Sequence, residues 1–196
     1  MVNIFYNANL LPNVEFNDLI SYKDNVVNKR DKSVIIQENG EVDVTDDRKT
    51  FMGSILNYQF TIEGFEPYIG SPFISLMHKI KDWLESNSIL DPKPYMVRCY
   101  RNNQNTLWHR HGVLSNTSPK NHWVVIYYMH PNWDMKYGGK LNVSLVELEP
   151  MYSFDTTSNS IICHNGYYGH SVSDIKLGYE GNRDLFLSHW VTKQLT

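Results

Sequence analysis

His122-Trp123-Val124-Val125-Ile126-Tyr127-Tyr128 is a run of aromatic and β-branched side chains of the kind that suits a pleated surface. The same character recurs on both sides of it. Upstream stands Tyr95-Met96-Val97-Arg98-Cys99-Tyr100; downstream come Lys140-Leu141-Asn142-Val143-Ser144-Leu145, Ser160-Ile161-Ile162-Cys163, His170-Ser171-Val172 and Asp184-Leu185-Phe186-Leu187-Ser188-His189-Trp190-Val191. Asn, Gly, Ser and Pro punctuate the gaps between these segments. So many short strands without a βαβ rhythm predict an antiparallel sandwich or barrel-like double sheet over residues 95–192.

Residues 1–94 read differently. Val14, Phe16, Leu19, Ile20 and Tyr22 predict an amphipathic helix over 14–28, capped near Asn13. Val34-Ile35-Ile36 and Val42-Asp43-Val44 flank Asn39-Gly40, a pair suited to a tight hairpin turn. Phe73, Ile74, Met77, Ile80, Lys81 and Leu84 predict a second helix over 72–85 starting at Ser71-Pro72, placed to cover one face of a sheet. The expected class is α+β: one domain over residues 1–196, with 1–94 as mixed helical and strand support for the β core. No repeat, low-complexity tract or linker divides the chain.

The 196 residues are 41% hydrophobic and 13% aromatic, the composition of a chain that buries a core. Eighteen basic and 21 acidic side chains leave a charge of −3 with no basic run, which argues against general nucleic-acid binding or adhesion to anionic lipid. No apolar stretch reaches the length of a membrane span, and Met1-Val2-Asn3-Ile4-Phe5-Tyr6-Asn7 lacks the pattern of a signal peptide. Cys99 and Cys163 are too few for a disulfide framework, so the expected setting is reducing and cytoplasmic.

Eight histidines are present, and one spacing among them carries information. In Trp108-His109-Arg110-His111-Gly112 the two imidazoles stand two residues apart, which on a strand points both to one face and lets both reach one ion. A third nitrogen is available from His170, between a glycine-flanked turn and a strand, or from His164, which ends an apolar strand and could equally face solvent. His78, His122, His130 and His189 have no partner at suggestive spacing and read as structural or surface residues.

The order of these features resembles the prolyl 4-hydroxylase-like branch of the iron(II)- and 2-oxoglutarate-dependent dioxygenases. Tyr100 stands nine residues before His109. The apolar strand ending in Tyr127-Tyr128 follows, then Gly138-Gly139-Lys140-Leu141, then His170-Ser171-Val172, then Arg183 within Gly181-Asn182-Arg183-Asp184-Leu185-Phe186-Leu187-Ser188-His189-Trp190. Asp47-Arg48-Lys49-Thr50 is faintly similar to an upstream element of some members. The resemblance covers roughly half the chain. It implies a double-stranded β-helix (a jelly-roll core) with N-terminal supporting helices. It implies His109, His111 and His170 as ligands of iron(II), with Arg183, Tyr100 and Tyr128 holding the far carboxylate of 2-oxoglutarate. It further implies hydroxylation of a peptidyl, amino-acid or other small-molecule substrate. Trp108 and Trp190 are expected to pack, and Asp134 to be solvated.

One position departs from the family, which has His-x-Asp where this chain has His109-Arg110-His111. A histidine at that place also occurs in a group of family members, several encoded by phages, which would put such a protein in a host cytoplasm. Three neutral imidazoles are an ordinary zinc set and suit copper or nickel as well, so a non-iron or non-catalytic metal protein on the same fold is the alternative. A cupin is disfavoured, because Ser115 and Asn116 stand where its motif expects glutamate.

Overall fold

The computed structural model describes residues 3–27, 33–36, 42–45, 50–56, 60–101, 105–111, 118–131, 133–147, 149, 152–176 and 183–192. In chain order the elements are β1 (Ile4–Asn7), α1 (Asn13–Val27), β2 (Ser33–Ile36), β3 (Val42–Thr45), β4 (Thr50–Leu56), α2 (Glu66–Ile69) and α3 (Ser71–Ser86). They continue with β5 (Lys93–Arg101), β6 (Thr106–His109), β7 (His122–Tyr128), β8 (Leu141–Ser144), β9 (Tyr152–Phe154), β10 (Ile161–Asn165), β11 (Gly169–Val172) and β12 (Asp184–Val191). An eight-stranded sheet runs β1-β10-β7-β12-β5-β4-β2-β3, and a four-stranded sheet runs β6-β11-β8-β9. All pairings are antiparallel except β2 with β4. This is the α+β double sheet expected from residues 95–192. The first ninety residues do more than support it, because β1 through β4 extend the larger sheet at both edges. The turn expected at Asn39-Gly40 and the Asp47-Arg48-Lys49 stretch lie outside the described residues.

β7 and β12 lie at the centre of the larger sheet with both faces covered, which explains why they read as continuous apolar runs. On one face Trp123, Val125, Tyr127, Phe186 and Trp190 meet the helices. The α3 side chains Phe73, Leu76, Met77, Ile80 and Leu84 recur every three or four residues and are all buried, with Phe73 stacked on Phe186 at 5.5 Å. Each such burial contributes about 1.5–3 kcal/mol. On the other face Val124, Ile126, Leu185 and Leu187 meet Leu141, Val143 and Val172 of the smaller sheet. The space between the sheets is therefore lined by apolar residues, and polar groups gather at its two ends.

α1 is tied to this framework by charge. Lys23 and Asp184 are both buried, and the ammonium lies 2.6 Å from the carboxylate. Arg101 on β5 meets the other oxygen of Asp184 at 2.8 Å. The head of β12 is thus clamped between a helix and a neighbouring strand.

Candidate metal centre

β6 is an edge strand, and β11 brings His170 directly opposite His109. Gly169 makes that pairing possible, because a Cβ there would stand 2.5 Å from Trp108 Cζ2 and 2.9 Å from the His109 carbonyl. His111 lies two residues beyond the end of β6, off the strand on which the spacing would have placed it, and its ring still packs against that of His109 at 5.1 Å. One ring nitrogen from each of His109, His111 and His170 lies within 4.8 Å of the other two, with ring centroids 4.5–5.1 Å apart. The expected trio converges, and among the described residues no carboxylate joins it.

The surroundings prepare these rings to donate lone pairs. His109 Nδ1 faces the Leu107 carbonyl at 2.9 Å, an acceptor only, so Nδ1 is the donor there and Nε2 is the nitrogen left to face an ion. The Nε2 of His111 is buried with no hydrogen-bond partner. Burial, reinforced by the neighbouring imidazoles, pushes His111 down to about 3, and the same causes hold His170 well below its ordinary value. Both stay uncharged at neutral pH, the state a metal ligand requires. This donor set fits a divalent ion.

His164 does not face solvent. It is fully buried at the end of β10, and its Nε2 lies 2.9 Å from His170 Nδ1. His122 and His189 are not surface residues either. Both are buried, and with the Tyr95 hydroxyl they form a triangle with edges of 2.9, 3.0 and 3.2 Å, His189 packing edge-on against His111 at 4.7 Å. Six of the eight histidines thus form one connected cluster. The signal that could have found them is alternation: Val124, Ile126, Leu185 and Leu187 face the inter-sheet space, and counting by twos puts His122 and His189 on the same side.

Arg183, just before β12, is completely buried. Its Nη2 donates to the Gly139 carbonyl at 3.1 Å, and its guanidinium lies 5.0 Å from the Tyr128 ring and 5.7 Å from Trp133. Gly139 has φ +76°, and a Cβ there would crowd Trp133 at 3.0 Å. The charge of Arg183, with burial as the larger cause, pushes His130 down to about 3. Tyr128 and Arg183 are therefore together. Tyr100 lies on β5 opposite Leu185, and its side chain falls outside the described residues. Trp190 is buried packing, and exposed Asp134 caps the turn at Lys136.

The two facing, largely antiparallel sheets form a jelly-roll double sheet, a fold also seen in solved prolyl hydroxylases and 2-oxoglutarate oxygenases. A prolyl hydroxylase from Trichoplax adhaerens, solved with a hypoxia-inducible-factor peptide fragment, superposes with a TM-score of 0.58 at 16% identity, covering 96% of this chain and 83% of that one. A Pseudomonas putida prolyl-4-hydroxylase gives 0.56 at 11% identity, covering 99% and 94%. HygX from Streptomyces hygroscopicus, solved with nickel and 2-oxoglutarate bound, gives 0.60 at 10% identity, covering 100% and 84%. At these identities the likeness is one of fold. No protein-family model and no curated protein matches the sequence.

Proposed function

We propose that the protein is a metal-dependent oxygenase in which His109, His111 and His170 hold iron(II), Arg183 grips the far carboxylate of 2-oxoglutarate, and a peptidyl, amino-acid or other small-molecule substrate is hydroxylated. The observation that carries this reading is the convergence of three imidazoles at one end of a double sheet that buries an arginine. When bound, the metal and 2-oxoglutarate supply the activation of oxygen, with succinate and carbon dioxide as co-products. The chain's own contribution is binding and exclusion. Leu185, Leu187, Ile126 and Val143 keep water from the inter-sheet space, and Arg183 offers a bidentate, charge-assisted contact to a carboxylate, stiffened by its seat against Tyr128 and Trp133.

The test is anaerobic purification, metal analysis and titration with 2-oxoglutarate. Arg183→Ala should weaken 2-oxoglutarate binding on the order of a hundredfold while leaving metal content intact, and Arg183→Lys should recover part of it. Wild-type affinity in the alanine variant refutes the co-substrate assignment. The absence of a carboxylate from the donor trio favours a second reading, a zinc, copper or nickel centre on the same fold. Succinate released only on addition of iron(II) selects the first.

A further inference from the structure

We propose that His164 is a positioning residue for the metal centre: it accepts the Nδ1 proton of His170, so that Nε2 of His170 is the lone pair offered to the ion. This rests on the metal-centre reading above and adds to it a residue outside the ligand trio.

The argument is one of proton accounting along a chain that ends on the backbone. His164 Nδ1 lies 3.1 Å from the Asn165 carbonyl oxygen, which can only accept. His164 Nδ1 therefore carries a hydrogen. With Nδ1 donating to that carbonyl, Nε2 is the ring nitrogen left to accept. That nitrogen faces His170 Nδ1 at 2.9 Å, and a bond of this length needs one proton between the two atoms. His170 must supply it, which leaves His170 Nε2 without one. Two consecutive tautomers are thus dictated by a single peptide carbonyl.

That carbonyl is held firmly. The Asn165 oxygen also accepts from Tyr168 N–H at 3.0 Å, the bond that closes the turn between β10 and β11. The Asn165 N–H donates to Asn3, and its side-chain amide donates to Lys120. The same turn carries His164 at the end of one strand and His170 at the start of the next. Because β10 belongs to the eight-stranded sheet and β11 to the four-stranded one, the imidazole pair also ties the two sheets together beside the centre. The His109 contact to the Leu107 carbonyl is a one-step version of the same device. Partners of this kind orient the ligand ring and raise its basicity.

The experiment has two arms. In the first, side-chain 1H–15N correlation spectra of the metal-free protein report the tautomers directly. His170 should appear as the Nδ1–H form in wild type and lose that preference in His164→Phe. A wild-type His170 in the Nε2–H form overturns the proposal, with or without any metal. In the second arm, zinc and cobalt(II) affinities are measured for wild type, His164→Phe, His164→Gln and His109→Ala. His164→Phe should bind roughly 10- to 100-fold more weakly with an altered cobalt absorption spectrum. His164→Gln should be close to wild type, because its amide oxygen can accept the same proton. Unchanged affinity and spectrum in His164→Phe, with affinity abolished in His109→Ala, overturns the relay and leaves the centre standing. Failure of wild type itself to bind, or no effect in His109→Ala, refutes the centre instead, and the tautomer spectra then decide the relay alone.

Discussion

Lowering the pH of the metal-free protein from 7 to 5 should cost it much of its stability, and the cost can be worked from two histidines outside the proposed ligand set. His122 and His130 are fully buried, and burial pushes them down to about 4 and about 3, with His164 adding to the effect on His122 and Arg183 to that on His130. In the unfolded chain each returns to about 6.5. Between those values the unfolded state binds a proton that the native state refuses, so stability rises with pH through this window. The contribution is complete above about pH 6.5 and is lost as pH falls toward the native values. At pH 5 the unfolded imidazole is about 1.5 pH units below its midpoint, which corresponds to about 2 kcal/mol for each of the two. His111 and His164 are depressed in the same direction, as are His170 and His189. Against a total stability of about 5–15 kcal/mol, the losses place unfolding well above the pH at which carboxylates titrate. Urea denaturation followed by tryptophan fluorescence at pH 7, 6 and 5 measures this, and His130→Gln should remove about 2 kcal/mol of the dependence. A free energy of unfolding that stays level from pH 7 to 5 would refute the reasoning, since it would mean that these rings reach solvent or keep their protons when folded.

Lys23→Met should destabilise the protein by about 3–5 kcal/mol by leaving buried Asp184 with Arg101 alone, and Lys23→Met/Asp184→Asn together should recover part of the loss; melting temperatures of the three proteins check this. Gly169→Ala should push β11 away from β6 and reduce zinc affinity, because its Cβ would strike the Trp108 ring and the His109 carbonyl; isothermal titration measures it, and wild-type affinity would show that His109 and His170 do not depend on that close pairing.

The strands that build the inter-sheet space were legible because two-residue alternation and β-branched composition survive in the sequence without knowledge of partners. The α3 stripe of Phe73, Met77, Ile80 and Leu84 was legible for the matching reason at a period of 3.6. β1, β4 and β9 do not stand out: Ile4–Asn7 is four residues long with its partner β10 more than 150 residues away, and Tyr152–Phe154 is only three residues long. The candidate histidine trio was partly legible. Two-residue spacing paired His109 with His111, although β6 ends at His109 and His111 lies just past it, whereas the choice of His170 over His164 needed the order of motifs in the resembled family. The structure shows why local reading left both open. They are joined by one hydrogen bond, and which of them turns toward His109 is decided by the pairing of β11 with β6. Lys23 gave no signal at all, because a lysine on an amphipathic helix reads as solvated until its distant carboxylate is known.

On the proposed reading, an imidazole at His111 in place of a carboxylate would change the electrostatic demand on whatever ligand enters. An ion held by an aspartate and two histidines has one of its two charges neutralised by the protein; an ion held by three uncharged imidazoles keeps both. Among the described residues the buried charged side chains are Lys23, Arg183 and Asp184, and Asp184 is already shared between Lys23 and Arg101. On the proposed reading, an ion held by three imidazoles would bring both of its charges into a medium of low dielectric, where charge left without a partner is costly. On that reading a dicarboxylate would answer the demand at both ends, with one carboxylate at the metal and the other at Arg183, whereas a neutral ligand would answer it at neither. The expected consequence is an ordering of affinities. With metal present, 2-oxoglutarate and other dicarboxylates of similar length should bind far more tightly than monocarboxylates, and the difference should shrink when Arg183 is replaced by alanine. Calorimetric titration with a dicarboxylate and a monocarboxylate of equal chain length, on wild type and Arg183→Ala, measures that difference. Equal affinities for the two acids in wild type would show that the enclosed charge is compensated elsewhere.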